Sequence, residues 1–278
     1  VISPCEITLH DTEPAMAQPK RVNSLIRGLE ILETFTPSDP RLSLQELAAR
    51  TGLPKTTVHR FLKTLLAMNY VTVDPRARVY SLAPRVMALG FSVLSGMDLR
   101  QTAYPFMEAL SRQTDQNVNL AVLDRTEMLY IERITVRRII STNLYVGSRV
   151  NCYLTAMGRA LIAFLSPERY DRLLQELLKD RDAVPHIGRH GEKLAAILEV
   201  VRLKGYASND GEWVPGLRAI GVPVFNGRGE VEASLNMSFI SQMVGFDEMI
   251  ENYVEPLMTA AGKISAALGF DGHLRRPG

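Results

Sequence analysis

Cysteine is scarce in this sequence, which contains only Cys5 and Cys152 among 278 residues. Two cysteines cannot form a disulfide framework, and by themselves they cannot supply a structural zinc site. No run of apolar residues approaches the roughly 18 that a membrane-spanning helix requires. The range 1–19 is acidic and contains prolines, so it lacks the basic start and apolar block of a secretory signal. We therefore expect a globular protein that works in the cytoplasm and has no membrane partner.

Sequence signatures of catalysis are also missing. The chain has no Gly-rich phosphate loop, no nucleophile elbow, no HExxH motif and no CxxC pair. Glu127 and Glu132 have arginines nearby, and we interpret these carboxylates as surface charge. His186 and His190 are four residues apart in a loop with Pro and Gly, which disfavours helical zinc ligation. The sequence thus predicts no catalytic residue, no metal and no cofactor. An enzyme with a small-molecule-binding α+β domain is the alternative.

Positive charge is concentrated near the N-terminal end of the chain, although the net charge is only +2. The range 20–80 holds ten Lys or Arg and five Asp or Glu, a local charge of +5. The range 1–19 holds three acids and no base, so everything after Tyr80 is neutral overall. A basic domain beside a neutral one is typical of a protein that binds nucleic acid with one part and has another task for the other.

The range 43–70, SLQELAARTGLPKTTVHRFLKTLLAMNY, predicts two helices joined by a tight turn. Ser43 followed by Glu46 is a capping box, which begins the first helix. Gly52 suits the left-handed conformation at the end of that helix, and Pro54 suits the first position of the next. In the second helix the apolar positions recur every three or four residues and form one buried stripe, Val58, Phe61, Leu62, Leu65 and Leu66. This is the pattern of a helix-turn-helix, whose second helix enters the DNA major groove.

The opposite face of the second helix is basic, and a β-hairpin follows it. Val71–Val73 and Arg78–Leu82 alternate as strands on either side of the turn Asp74–Ala77. A hairpin with arginines near its tip, directly after a recognition helix, is typical of the wing of a winged helix-turn-helix. An ordinary helical hairpin with a solvated charged face is the alternative. The predicted DNA-binding residues are Lys55, Thr56, Thr57, His59, Arg60, Lys63, Arg76 and Arg78.

Helical and β-rich patterns extend over the rest of the chain. Asn23–Phe35 predicts an amphipathic helix with Leu25, Leu29, Leu32 and Phe35 on one face. After residue 98, helical segments alternate with short β-rich runs, among them Ile139–Val146, and Asn226–Gly229 predicts a hairpin turn. The fold class is therefore α+β, and we expect a largely antiparallel sheet flanked by helices in the second domain.

Six separated blocks carry a resemblance to a known family: SLIRGLEIL, LSLQELAARTGLPKTTVHRFLKTL, YSLAPRVMALG, GSRVNCYLTAMGRALIAFL, KGYASNDGEWVPGLRAIGVPVF and ASLNMSF. In order and spacing they resemble the IclR family of bacterial transcriptional regulators. The resemblance implies a winged helix-turn-helix DNA-binding domain over 20–82 and a GAF-like effector-binding domain over 99–272. The range 1–19 has no periodicity and predicts a flexible tail, the helical range 83–98 between the two domains predicts a linker helix, and 273–278 is expected to be a tail. The implied partners are double-stranded operator or promoter DNA, a small carboxylate effector and further copies in a homodimer or dimer of dimers.

Within the family, the range 137–163 is most similar to regulators of aromatic-acid catabolism, such as those that sense protocatechuate or 4-hydroxybenzoate. The resemblance places the effector pocket where the helix at 155–165 begins against the late strands, on Ala156, Met157, Asn209, Ala219, Asn236 and Ser238. A family member that senses small oxoacids has an acidic residue in place of Asn209 and a cysteine in place of Ala219. An amide does not repel an anionic ligand, and Ala219 leaves room for a larger one. We therefore expect an aromatic acid, with glyoxylate or pyruvate as the alternative.

Several residues near this pocket have a second interpretation. Free backbone amides at the start of the helix could bind a carboxylate, or they could only end the helix. Asn236 and Ser238 share one face of a strand, and such polar alternation often marks the solvent side. Trp213 could form a wall for an aromatic ligand or simply pack. Cys152 is expected to be a small buried residue.

Overall fold

The computed structural model describes residues 21–136 and 144–273 of the chain. The chain forms two compact units, and the boundary between Ser92 and Val93 falls inside the predicted linker helix. The predicted tails lie outside the described residues, except for His273. The finer segment boundaries at 82 and 98 stay a prediction.

The first unit, together with the helix at its boundary, consists of α1 (Asn23–Glu33), β1 (Leu42–Ser43), α2 (Leu44–Thr51), α3 (Lys55–Ala67), β2 (Val71–Asp74), β3 (Val79–Leu82) and α4 (Arg85–Ser95). Its strands form an antiparallel sheet in the order β1-β3-β2. The predicted pair of helices and the hairpin after them are confirmed. Strand β1 was not predicted, because two residues are too few to show an alternation.

The predicted residues Ser43, Gly52 and Pro54 determine where α2 begins and ends and where α3 begins. Ser43 N donates to Glu46 Oε2 at 2.7 Å, and Glu46 N donates to Ser43 Oγ at 3.3 Å, which confirms the capping box. Gly52 follows α2 with φ of 67°, in the left-handed region that glycine adopts without strain. Pro54 is the residue immediately before α3. The turn between the two helices is therefore fixed by local chemistry alone.

The core of the first unit contains the apolar stripe of α3, with Val58 and Leu62 completely buried. Ile31 of α1 and Phe35, two residues after the helix ends, belong to this core. The predicted face of α1 is only partly correct, since Leu25 and Leu29 are 62% and 49% exposed. The buried residue of the helix is Ile31, which the predicted face did not include.

The second unit begins within α4 and contains a six-stranded sheet. Its elements are α5 (Asp98–Thr114), β4 (Asn117–Asp124), β5 (Glu127–Ile134), β6 (Arg149–Asn151), α6 (Ala156–Ile162), α7 (Pro167–Leu177), α8 (Val184–Ile187), α9 (Glu192–Lys204), β7 (Ala207–Asp210), β8 (Leu217–Phe225), β9 (Val231–Ile240) and α10 (Phe246–Ala267). The strand order is β6-β5-β4-β9-β8-β7, and every neighbouring pair is antiparallel. The predicted antiparallel α+β fold is confirmed.

Two local predictions in the second unit need correction. The range 139–143 of the predicted strand Ile139–Val146 lies outside the described residues, and residues 144–146 are not in a strand. The strand in this part of the sheet is β6, Arg149–Asn151, which pairs with β5. The loop that carries the two histidines contains the short helix α8.

Helices cover both faces of the sheet. On one face, Leu235 and Met237 of β9 belong to a core cluster with residues of α5 and α10. On the other face, α6, α7 and α9 form a second cluster with residues that include Tyr130 of β5. Asn236 points to this second side, because its neighbours Leu235 and Met237 face the first. The pocket-forming residues are therefore on the α6 side of the sheet. No helix of the described residues is long and apolar enough to cross a membrane.

Candidate functional site

The face of α3 opposite its buried stripe is open to solvent. The predicted DNA-binding residues on this helix are exposed except for Thr57, which is half-buried: Lys55, Thr56, His59, Arg60 and Lys63. The Arg60 guanidinium carbon lies 5.9 Å from the centre of the Phe61 ring. The structure thus brings the predicted donors together on one accessible face.

The tip of the wing is shaped by Asp74. Its Oδ1 accepts hydrogen bonds from the backbone of Ala77 at 3.1 Å and of Arg76 at 2.9 Å. These bonds favour the ionised carboxylate and hold the pKa of Asp74 below its usual value. Arg78 ends the turn with φ of 55°. Arg76 and Arg78 are both exposed, as a phosphate-contacting wing requires.

Apolar side chains are also exposed in this part of the chain. Helix α4 buries none of its eleven residues. Its apolar side chains are exposed as well: Met87, Leu89 and Phe91 are 75%, 57% and 71% exposed. Leu25 and Leu29 of α1 add to this exposed apolar surface. An isolated helix of this length is only marginally stable in water. Exposed apolar helices of this kind are expected to have a protein partner.

The second unit has a pocket where α6 begins against the sheet. It is lined by all six predicted effector residues: Ala156, Met157, Asn209, Ala219, Asn236 and Ser238. Tyr130, Leu144, Thr155 and Leu217 also line it and were not among the predicted effector residues. The free volume is about 20 Å³, room for about one water molecule. The pocket is therefore contracted, and an organic ligand has to widen it.

Strand register explains why residues far apart in sequence meet here. Asn209 of β7 is opposite Ala219 of β8, and Ala219 is opposite Ser238 of β9. Asn236 is opposite Gly221 in the same way. A Cβ atom at Gly221 would lie 2.7 Å from Met157 N, so only glycine lets β8 approach the start of α6 this closely.

The polar groups at the start of α6 are largely engaged. Thr155 Oγ1 accepts from Gly158 N at 3.3 Å, so the amide of Gly158 is not free for a ligand. Asn209 Nδ2 donates to Leu154 O at 2.6 Å, and its Oδ1 accepts from Glu212 N at 3.2 Å. Asn209 therefore lines the pocket and also holds the backbone around it. Whether the amides of Ala156 and Met157 bind a ligand stays a prediction.

Burial decides between the two interpretations of several other residues. Asn236 is only 4% exposed, so the solvent interpretation is wrong for it, and Ser238 is half-buried. Trp213 is half-buried and lines the pocket, where it can form a wall for a ligand. Cys152 is completely buried as expected, and burial raises the pKa of its thiol to about 12. Burial likewise raises the pKa of Tyr130 to about 12, so its hydroxyl stays a neutral donor.

Glu132 is not the surface charge that the sequence suggested. Its carboxylate is buried on the α5 side of the sheet and forms an ion pair with Arg100, whose Nη2 lies 2.7 Å from Glu132 Oε2. Within residues 21–136 and 144–273, no group of three or more His, Cys, Asp or Glu side chains could hold a metal ion. The His186 ring lies 5.9 Å from the Tyr153 ring, an aromatic packing contact.

Family models match both parts of the chain. The model of the IclR helix-turn-helix domain matches residues 24–75, and the model of the bacterial transcriptional regulator IclR C-terminal domain matches residues 91–266. The second match alone covers more than half of the chain. These matches agree with the winged unit and the antiparallel α+β unit described above.

Individual relatives match over almost the whole chain. The Pca regulon regulatory protein of Pseudomonas putida is 35% identical over 249 residues, which cover 88% of this chain and 83% of the relative. The HTH-type transcriptional regulator KdgR of Escherichia coli K12 is 33% identical over 253 residues, 91% of this chain and 95% of the relative. An IclR homologue of Microbacterium hydrocarbonoxydans, solved in complex with 4-hydroxybenzoate, has a TM-score of 0.72 at 26% identity and covers 88% of this chain and 98% of its own.

The matched families and relatives are transcriptional regulators and not enzymes. The winged unit has an exposed basic face, and the second unit has a pocket lined by neutral polar and apolar side chains. The chain belongs to the IclR family, as a ligand-responsive, DNA-binding transcriptional regulator.

Proposed function

We propose that this regulator controls a catabolic operon in the cytoplasm and responds to a small aromatic carboxylic acid. The observation that carries the proposal is the pocket at the start of α6, whose described lining residues include hydrogen-bond donors and no acidic side chain. An anionic ligand in a buried site needs such donors in place of water. Trp213 and Tyr130 supply aromatic surface for a ring. The Pca regulon relative and the 4-hydroxybenzoate complex of a homologue support the same ligand class.

The DNA-binding surface in this proposal is the exposed face of α3 together with the wing. Lys55, Thr56, Thr57, His59, Arg60 and Lys63 face the major groove, and Arg76 and Arg78 contact phosphates or the minor groove. Basic side chains that neutralise phosphates supply most of the affinity, whereas contacts to base edges supply specificity. The accessibility of these side chains supports this role.

The active form in this proposal is a homodimer or a dimer of dimers. The exposed apolar residues of α1 and α4 support it, because a second copy of the same helices is apolar in the same places. A dimer also places two recognition helices on two half-sites, which a single modestly basic domain needs for tight specific binding.

Effector binding is proposed to change DNA affinity through α4, because the chain passes from one unit to the other within this helix. The coupling free energy between such sites is typically about 1–3 kcal/mol, a change in affinity of several-fold or more. A ligand produces this effect only if it binds one arrangement of the protein more tightly than the other.

Thermal unfolding of the purified full chain against a panel of carboxylic acids tests the effector class. A ligand at about a hundred times its Kd adds about 2.7 kcal/mol, a rise in Tm of several degrees. Stabilisation by 4-hydroxybenzoate or protocatechuate, together with a change in DNA affinity, is the expected result. Stabilisation by glyoxylate or pyruvate alone would instead select the small oxoacids, which the contracted pocket favours on size.

A further inference from the structure

Arg133 lies on the pocket face of the sheet, beside the predicted effector residues. In the strand register, Arg133 of β5 is opposite Asn119 of β4, and Asn119 is opposite Asn236 of β9. Residues opposite each other in antiparallel strands point to the same side. The hydrogen bond from Asn119 Nδ2 to Asn236 Oδ1, 2.8 Å long, agrees with this, and Asn236 lines the pocket. A cation therefore shares this face of the sheet with a pocket whose described lining is neutral.

A hydrogen bond connects Arg133 directly to the pocket wall. Its Nη1 donates to the backbone carbonyl oxygen of Leu144. Leu144 lines the pocket. An oxygen of an acidic ligand can therefore replace the carbonyl oxygen of Leu144 as the acceptor of this hydrogen bond.

Three polar atoms at and beside Arg133 lack hydrogen-bond partners. Arg133 Nε, Asn119 Oδ1 and Asn117 Nδ2 are buried, and none of them has a partner within the described residues. Asn117 and Asn119 are only 1% and 2% exposed, so water does not reach them freely. Unpaired buried polar groups are rare because they are costly, and each one calls for an explanation. Partial burial also lowers the pKa of the Arg133 guanidinium, because it removes part of the water that stabilises the charge.

We propose that Arg133 binds the carboxylate of the effector, which replaces the carbonyl of Leu144 on the guanidinium. A guanidinium binds a carboxylate through two parallel N–H···O hydrogen bonds. Nη1, released from Leu144, and the neighbouring Nη2 supply the two parallel donors at the end of the guanidinium. The exchange gives the half-buried cation an opposite charge and frees the pocket wall at Leu144. An acid therefore widens the contracted pocket, whereas a neutral ligand of the same size leaves the Arg133–Leu144 contact in place.

This inference rests on the proposed function, so the experiment separates the two. Isothermal titration calorimetry on the full chain compares each acid with its own amide: 4-hydroxybenzoate with 4-hydroxybenzamide, and pyruvate with pyruvamide. The ratio of acid affinity to amide affinity reports recognition of the carboxylate. The choice between the aromatic and the aliphatic pair reports the effector class.

Three variants are compared with the wild type. Arg133→Gln removes the charge, Arg133→Lys keeps it without the two-point geometry, and Arg149→Gln is a matched control on β6, where the arginine pairs with Asp124 at the surface. Hydrogen bonds to charged groups are worth about ten- to a hundredfold in affinity. We expect Arg133→Gln to lower the acid-to-amide ratio by about that factor, Arg133→Lys to restore part of it, and Arg149→Gln to leave it unchanged. Amide binding by Arg133→Gln within about threefold of wild type shows that its pocket is folded.

Each outcome decides one of the two proposals. If the ratio of acid affinity to amide affinity in Arg133→Gln stays within threefold of the wild-type ratio, Arg133 does not bind the carboxylate. This holds even if aromatic acids bind and alter DNA affinity. A ratio that collapses in Arg133→Gln, but only for the pyruvate pair, would support Arg133 and reject the aromatic effector. If the wild-type protein binds each amide as tightly as its acid, the inference is wrong. This comparison needs no variant, so the inference can be rejected even if Arg133→Gln fails to fold.

Discussion

Arg159 and Glu212 form a two-point ion pair beside the pocket. Arg159 Nη1 donates to Glu212 Oε1 at 2.9 Å, and Nη2 donates to Oε2 at 2.6 Å. Arg159 Nε also donates to the carbonyl of Tyr153 at 2.9 Å. The Glu212 amide in turn binds Asn209, which binds Leu154. This chain of hydrogen bonds ties the segment after β7, which carries Trp213, to the start of α6.

Replacing Glu212 with Gln should destabilise the second unit and loosen the pocket. The Arg159 side chain is 6% exposed and would keep its charge without a full partner, whereas Glu212 is 46% exposed, so solvent screens part of the loss. We expect a cost of about 1–3 kcal/mol, visible as a lower Tm, together with weaker effector binding.

A matched change at a surface pair provides the control for Glu212→Gln. Glu176, near the end of α7, pairs with Lys179, which lies two residues after the helix, and both side chains are largely exposed. Glu176→Gln should cost less than about 1 kcal/mol and should not affect the effector. Equal Tm shifts for the two variants would contradict a structural role for the Arg159–Glu212 pair.

Gly158→Ala should disrupt the start of α6. A Cβ atom at Gly158 would lie 1.9 Å from the carbonyl oxygen of Cys152, and a backbone oxygen inside the core cannot move aside cheaply. We expect a loss of more than about 2 kcal/mol in unfolding free energy. Chemical denaturation measures it. The same substitution at Gly262 of α10 meets nothing within 4 Å and should stabilise that helix by about 0.5–1 kcal/mol. A neutral Gly158→Ala would refute this tight contact.

Features determined by neighbours in sequence were predictable here. The Ser43–Glu46 capping box, the left-handed Gly52 and the wing hairpin each depend on residues within a few positions of one another. The buried stripe of α3 follows from helical periodicity alone. The family resemblance supplied the pocket residues, since nothing in the local pattern brings Asn209 next to Asn236.

Features that depend on strand register, or on which helix covers each face of the sheet, were not predictable. Arg133 shares a face of the sheet with the pocket residues because β5, β4 and β9 are neighbours and because a bulge between Leu120 and Ala121 shifts the register of β4 against β5. Glu132 looked like surface charge because the sequence does not show that α5 covers that face. Leu25 of α1 has the spacing of a core residue but is exposed, because periodicity alone does not show which part of a helix the core covers.

Arg60→Ala and Lys63→Ala should each weaken promoter binding and reduce its dependence on salt. Both side chains are exposed on the face of α3 opposite Val58 and Leu62. Each phosphate contact that is lost lowers the slope of log K against log salt concentration by about 0.9. Fluorescence anisotropy at several salt concentrations measures affinity and slope together. Lys179→Ala in the second unit is the control and should change neither. A residue that reads a base instead would lose sequence discrimination and keep most of the slope.

Phe91→Asp should dissociate the proposed dimer. Phe91 is 71% exposed on α4, a helix that buries none of its own residues, so a second copy is the expected cover for this ring. A carboxylate placed in an apolar interface without a partner is costly, because the charge loses its water. Sedimentation velocity should show a shift from dimer or tetramer to monomer, and affinity for a two-half-site promoter should fall with it.

The control for Phe91→Asp is the same kind of change at Leu203, which is 84% exposed on α9. Leu203→Asp should leave both the sedimentation coefficient and the DNA affinity unchanged, because a single exposed leucine needs no partner. If Phe91→Asp sediments like the wild type, α4 is not part of the interface, and the exposed Leu25 and Leu29 of α1 become the surface to change next. If the wild type is itself a monomer at micromolar concentration, the dimer proposal fails. The exposed apolar residues of α1 and α4 would then have to be covered by a different protein.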